Sequence, residues 1–244
     1  MAKFLILLLI SFNAFSFSII SDLDETIKIT GHGPRAVYNA LRSKKIYLGM
    51  NTLFSELDED NLYVITASPN QIRRFIFKLF THNNIDVEEL ITKNWFGGEG
   101  TFEYKYRSIE NILESSEEQF ILMGDNTSED EAVYREIKKN YPNRILAIYI
   151  RVTKTPELSV DNEINYFYHT IDIALNEFKS KRLSNKSVLN ILKDFAILKN
   201  KYELIFPKFA YCPTVEEDLL TPRVFGYSIV VDQINKELIK HCLN

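Results

Sequence analysis

The chain of 244 residues carries 29 Lys and Arg against 33 Asp and Glu, with 45% hydrophobic and 25% charged residues. That length accommodates one α/β domain with a modest extension, and the composition is that of an ordinary globular protein. A formal charge of −4 and a pI of about 5.7 exclude wholesale nucleic-acid binding.

Taken from the N-terminus, Met1-Ala2-Lys3 precedes the apolar run Phe4–Ile10 and then Ala14-Phe15-Ser16, with small residues where a signal peptidase reads. The run is too short for a bilayer, which needs about 20 apolar residues. Residues 1–16 are therefore expected to be a signal peptide, removed after Ser16, giving an exported, periplasmic or secreted protein with no transmembrane helix after processing. An uncleaved hydrophobic anchor is the alternative.

From Phe17 to about Phe178 apolar runs alternate with helical patterns. Strands are expected to end at Ser21, Ile65, Met123 and Ile150, with a last one at Ile164 to Tyr168. Right-handed crossovers between them give a parallel sheet with helices on both faces. Between Asp86 and Lys105 lies a Gly-rich loop just before the lysine. Its Trp95-Phe96-Gly97-Gly98-Glu99-Gly100 lacks the Gly-Lys-Ser/Thr of a P-loop and is expected to be a flexible rim over the substrate. After Lys181, helices around Val188 to Leu204 and Ile229 to Leu243 form an extension, so the expected division is 17–181 catalytic domain and 182–244 helical C-terminal extension. Cys212 and Cys242 are the two cysteines, and in an oxidising compartment they are natural partners.

The chemistry concentrates at strand ends, where open α/β sheets bind ligands. Asp22 and Asp24, after the first strand, can reach one pocket. Asp22 is placed to attack phosphorus as a nucleophile, and Asp24, if protonated, to serve the leaving oxygen as an acid. The hydroxyl of Thr66 stands at the next strand terminus, and Ser68 either binds substrate or caps the following helix. Lys105 is placed to neutralise Asp22 and phosphate. Asp125 and Asp130 follow another buried strand, and oxygen ligands of this kind suit a hard divalent cation. Between Thr26 and Ser55 no Asp or Glu occurs, while Lys28, Arg35, Arg42, Lys44 and Lys45 do. This is either a solvated helix face or a basic patch in which Arg42, Lys44 and Lys45 bind an anionic substrate or lipid surface. The four histidines show no metal-ligand spacing, and only His32 lies near the expected site.

In this order Asp22-Leu23-Asp24-Glu25-Thr26-Ile27-Lys28-Ile29-Thr30-Gly31, Leu48-Gly49-Met50, Thr66-Ala67-Ser68-Pro69-Asn70-Gln71, Tyr104-Lys105, the stretch from Gly124 to Tyr134 and Ala147-Ile148-Tyr149-Ile150-Arg151 carry a resemblance. They resemble the haloacid dehalogenase superfamily and, within it, the catalytic domain of the actin-patch-type phosphatidate phosphatases, over roughly residues 17 to 180. The resemblance implies a haloacid dehalogenase-like α/β fold with small or no cap. It implies Asp22 as nucleophile forming an aspartyl-phosphate, Asp24 as general acid and then base, Thr66 as phosphate-binding hydroxyl and Lys105 as charge-stabilising lysine. It further implies Mg2+ held by Asp22, the backbone carbonyl of Asp24 and Asp125, with Asp130 in support, and hydrolysis of phosphatidate to diacylglycerol at a membrane surface. A phosphatase for a soluble or protein-borne phosphomonoester, or an idle lipid-binding module, are the alternatives. The family usually has Asp where this chain has Glu25 and Ser-Gly-Gln where it has Asn126-Thr127-Ser128, which bears on the shape of the phosphate pocket.

Overall fold

A computed structural model describes residues 17–31, 34–57, 61–155, 163–196, 201–215 and 219–243. Its frame is a six-stranded sheet in the order β3-β2-β1-β4-β5-β6, every neighbouring pair parallel. The strands are β1 (Phe17–Ser21), β2 (Leu62–Pro69), β3 (Glu89–Lys93), β4 (Gln119–Asp125), β5 (Ile145–Arg151) and β6 (Ile164–Phe167). Between them run α1 (Pro34–Arg42), α2 (Met50–Leu57), α3 (Arg73–Asn83), α4 (Thr101–Ser115) and α5 (Asp130–Asn140). Then follow α6 (Thr170–Lys179), α7 (Asn185–Asp194) and α8 (Ser228–Cys242).

All five residues of β1 are buried, because a parallel strand covered on both faces reads as an unbroken apolar run. Successive side chains then enter different cores. Ile19 packs with Val64, Ile121 and Met123 beneath helices that include α2, α3, α6, α7 and α8, through residues such as Leu53, Leu79, Ile171, Ile191 and Leu238. Ile20 packs on the opposite face with Ile65, Leu122 and Ile148 against α4 and α5, through Ile109, Leu113, Val133 and Ile137. Residues beyond 182 thus contribute to the same buried cluster as the sheet. The order of strands reverses at β1, so the crevice beyond β1 and β4 is the switch point at which this kind of sheet binds ligands.

The structure departs from the sequence reading at three places. Glu89–Lys93, for which no strand is expected, is an edge strand; of its five residues Leu90 and Thr92 are buried, so no apolar run announced it. The first helix of the extension ends at Asp194, short of Leu204, and Tyr202–Leu204 forms a separate 3-10 turn. Strands β2 and β4 continue past Ile65 and Met123 to Pro69 and Asp125. The expected signal peptide and His32 lie outside the described residues.

Cys212 and Cys242, 30 positions apart in sequence, form a disulfide with Cα atoms 5.5 Å apart. It fastens α8 to the segment before it. In that segment the Tyr211 N–H donates to the carbonyl of Thr153 at 2.8 Å, and Leu48 N–H donates to the Leu204 carbonyl. Closing a loop of that length stabilises a fold by about 3–4 kcal/mol on chain-entropy grounds. Replacing both cysteines by serine is expected to lower unfolding free energy by about that amount in urea titrations monitored by circular dichroism, with the far-UV spectrum of the folded state unchanged.

Candidate active site

Past Ser21 the chain leaves the sheet in a tight loop. The N–H groups of Ile27 and Lys28 both donate to the Leu23 carbonyl, and that of Glu25 donates to the Lys28 carbonyl. Leu23 and Ile27 turn down into the core, which leaves Asp22, Asp24 and Thr26 to the crevice. Glu25 adopts a left-handed φ of 62°, a conformation that costs energy for a residue with a Cβ. Its carboxylate offsets that cost by accepting from the N–H groups of Thr30 and Gly31 and from the Tyr47 hydroxyl at 2.8 Å. Burial pushes the Glu25 carboxyl up, partly opposed by those donors. The residue that departs from the expected Asp is therefore the buckle of the loop.

Asp22 is 5% exposed. Its Oδ1 accepts from Lys105 Nζ at 2.7 Å, and Thr26 Oγ1 lies 3.5 Å from Oδ2. The same ammonium donates to Asp130. Asp130 in turn accepts through Oδ2 from the Asp125 N–H at 3.2 Å and Ser128 Oγ at 3.0 Å. Asp125 Oδ1 is held by the backbone and hydroxyl of Thr127. A Cβ on Gly124 would stand 2.6 Å from that of Asp130, so only glycine lets the acid tuck against the end of β4.

Asp24 points elsewhere. Its Oδ2 accepts from Ser68 Oγ at 3.0 Å and Thr66 Oγ1 at 3.4 Å, and its Oδ1 from the Thr30 hydroxyl. Ser68 thus does not cap the following helix, where no side-chain cap bond exists; it serves Asp24. The Thr66–Ser68 loop is itself pinned by Tyr104, whose hydroxyl donates to the Thr66 carbonyl at 3.2 Å, and by Trp95, whose Nε1 donates to the Ala67 carbonyl at 2.8 Å.

Asp22, Asp125 and Asp130 each bring an oxygen within 4.8 Å of the others. Three buried carboxylates face one buried ammonium. Burial, with Asp130, Asp125 and Asp24 adding to it against the opposing pull of Lys105, drives the Asp22 carboxyl well above the usual range. Burial and Asp130 raise Asp125 to about 7. For Lys105, burial acts downward, but Asp130 and Asp22 outweigh it and keep the ammonium charged. The excess of negative oxygen fits a hard divalent cation, which these three residues could hold.

The structure thus brings together Asp22, Asp24, Thr66, Ser68, Lys105, Asp125 and Asp130. It does not bring Arg42, Lys44 and Lys45 to them. Those three are exposed. The Lys44 carbonyl accepts from Asn83 at the far end of α3, a helix that leads away from the strand end bearing Thr66. Lys28 is 1% exposed and donates to the Ala40 carbonyl at 2.7 Å, so it belongs to no surface patch. The sequence also left Thr30, Tyr47, Thr127 and Ser128 without roles, since hydroxyls carry no spacing signal of their own.

Seven of the ten residues singled out from sequence converge on one crevice in a parallel sheet, which makes this an α/β protein of haloacid dehalogenase-like architecture. A closer assignment comes from comparison with known proteins. Residues 17–152 match the family phosphatidate phosphatase APP1, catalytic domain, and the chain belongs to that family. An uncharacterized protein of Schizosaccharomyces pombe is 30% identical over 149 residues, 55% of this chain and 25% of the relative. Phosphatidate phosphatase APP1 of Saccharomyces cerevisiae is 29% identical over 155 residues, 56% of this chain and 26% of the relative. The matched stretch thus spans about a quarter of each curated relative. No solved structure matches.

The raised carboxyls fix the sign of a pH effect. A carboxylic acid whose folded pKa lies above its unfolded value near 4 binds more protons folded than unfolded, so stability falls as pH rises between the two values. In chelator, the protein is expected to melt at a lower temperature at pH 8 than at pH 5, with Asp125 losing its proton near 7. Thermal denaturation of Asp125→Asn should show a weaker pH dependence. A divalent cation should raise the melting temperature more at pH 8, where no proton competes.

Proposed function

We propose that the protein is a magnesium-dependent phosphomonoesterase that hydrolyses phosphatidate, or a closely related lipid phosphomonoester, through an aspartyl-phosphate on Asp22. The observation that carries this reading is the division of labour between the two carboxylates. Asp22 is held by a lysine at the strand end, and Asp24 is held apart from it by three hydroxyls. The name of the yeast relative supplies the lipid.

In the first step an Asp22 oxygen attacks phosphorus in line. The bond from phosphorus to the lipid oxygen breaks as the Asp24 carboxyl delivers its proton to that oxygen, and diacylglycerol leaves. Water then gives a proton to Asp24 and attacks the phosphorus of the acyl phosphate, releasing inorganic phosphate and restoring the Asp22 carboxylate. Lys105 Nζ, fixed between Asp22 and Asp130, keeps a positive charge beside the transferring group throughout. The hydroxyls of Thr66 and Ser68 are placed to donate to phosphoryl oxygens once substrate displaces their contacts with Asp24. Asp22, Asp125 and Asp130 would hold magnesium, which neutralises phosphoryl charge when bound.

The basic residues Arg42, Lys44 and Lys45 are not assigned to substrate here, because their position lies away from the crevice. The division into a catalytic domain, 17–181, and an extension, 182–244, is retained as part of the proposal. So is export, supported by the disulfide; mass spectrometry of the native protein should find a mature N-terminus near Phe17.

Activity against phosphatidate in mixed micelles is the direct test. Wild type should release phosphate in magnesium and lose turnover in chelator. Asp22→Asn should fall to background, because an amide cannot form the phospho-enzyme, and Asp24→Asn should lose about 10²–10⁴-fold. Hydrolysis of soluble aryl phosphates without any of phosphatidate would assign the same chemistry to a soluble substrate.

A further inference from the structure

Beside the crevice stands an aromatic turn that the proposed chemistry does not use. After β3 ends at Lys93, residues Trp95–Gly97 form a single 3-10 turn, capped by the Asn94 side chain, which accepts from the Phe96 N–H at 3.1 Å. Gly98 closes it with a φ of 71°. Trp95 is 65% exposed and Phe96 87%. The turn is not loose, since the indole N–H of Trp95 is spent on the Ala67 carbonyl, between two of the hydroxyl residues that hold Asp24. Two large apolar side chains are thus presented to water at a fixed place on the rim.

Their surroundings are basic. From Thr66 to Ile85 the chain contains no Asp or Glu, while Arg73, Arg74 and Lys78 lie exposed on α3. Arg73 lies over the ring of Phe77, itself 42% exposed, and Arg74 over Phe75. Pairing of Pro69 with Lys93 sets the end of β3 beside that of β2, so the aromatic turn and the start of α3 share the carboxyl edge of the sheet. Of the nearby acids, Glu99 is engaged by Arg107 through two hydrogen bonds, which leaves Glu103 in the first turn of α4 as the one counter-charge on this segment. Aromatic side chains flanked by arginine are the chemistry of a lipid headgroup boundary, where the rings enter and the cations meet phosphate.

We propose that the Asn94–Gly98 turn and the start of α3 form an interfacial anchor for an anionic bilayer, with Trp95 and Phe96 entering the headgroup region and Arg73 and Arg74 pairing with lipid phosphates. It rests on the lipid-phosphate reading, to which it adds the way the crevice is held against a membrane. The anchor replaces the 26–55 segment as the membrane-facing surface.

Trp95 is the one tryptophan of the chain, so its fluorescence reports this surface alone. The full chain is mixed with vesicles of phosphatidylcholine, or of phosphatidylcholine with phosphatidylserine. Emission should shift to the blue with the mixed vesicles, more weakly with neutral ones, and the shift should diminish with added salt. A basic residue near an anionic surface strengthens association about fivefold, so Arg73→Glu with Arg74→Glu should weaken vesicle binding at least tenfold, as should Phe96→Ser. Neither change should alter hydrolysis of a soluble aryl phosphate. An emission maximum unmoved by mixed vesicles, or variants that bind as tightly as wild type, would overturn the anchor. A blue shift that needs no vesicles and grows with protein concentration would assign the patch to a second copy and overturn it equally. Because these vesicles carry no phosphomonoester, a protein that binds them yet hydrolyses no lipid phosphate loses the functional reading and keeps the anchor.

Discussion

A single ammonium group organises the crevice. Lys105 reaches from α4 to donate to Asp22 at the end of β1 and to Asp130 at the start of α5, so it ties three elements that sequence keeps far apart. Removing one partner from such a buried set leaves a charge without compensation, which typically costs about 3–5 kcal/mol. The rest follows from this constraint. Asp130 must approach the end of β4 closely enough for its second oxygen to accept from the Asp125 N–H, and Gly124 is the residue that permits it. With one cation among three carboxylates, Asp22 and Asp125 are left short of compensation, and that deficit makes the cluster receptive to a metal.

A second buried cation braces the opposite side. Arg151, at the end of β5 and 1% exposed, hydrogen-bonds to no carboxylate among the described residues. Its guanidinium lies 3.9 Å from the ring centre of Tyr47 and 4.5 Å from that of Phe167, and it donates to the carbonyls of Tyr168 and, at 3.3 Å, Thr26. Burial pulls its pKa down to about 10. The bond to Thr26 connects β5 to the Asp22–Gly31 loop, and Tyr47, under the guanidinium, donates to the Glu25 carboxylate that buckles that loop. Arg151 therefore fixes from below what Lys105 fixes from the crevice side, one cation among rings and carbonyls and the other among carboxylates.

The sheet was legible in the sequence because β1, β2, β4 and β5 are buried on both faces and so spell continuous apolar runs. β3 was not, since an edge strand buries one side and Glu89-Leu90-Ile91-Thr92-Lys93 looks like ordinary surface chain. Of the site, Asp22, Asp24 and Asp125 could be read because carboxylates directly after buried apolar runs are rare. Charge alone does not say which basic residues lie near the crevice. The run from Lys28 to Lys45 is rich in cations, yet Lys28 is spent inside the fold and Lys44 sits by the distal end of α3. Direction along a helix, which composition does not record, decides whether a basic residue meets the crevice. Ser68 was ambiguous for a similar reason, as the same hydroxyl can cap a helix or hold a carboxylate, and only the position of Asp24 selects between them.

The central place of β1 has a consequence for how the chain reaches its native state. Both of its neighbours lie downstream, with Ile19 beside Leu62 on one side and Ile121 on the other. Parallel pairing across such separations requires large loops to close before any ladder bond forms, and it is intrinsically slow. During synthesis, Phe17–Ser21 emerges as an apolar strand with neither partner yet made; its β2 side can be covered after about forty further residues, but its β4 side stays open until about a hundred have followed. Asp22 and the carboxylates of Asp125 and Asp130 thus come together late, when β4 docks. The Asp24 side of the crevice, built from the β1 loop and the end of β2, can therefore form before the side that holds Asp125 and Asp130.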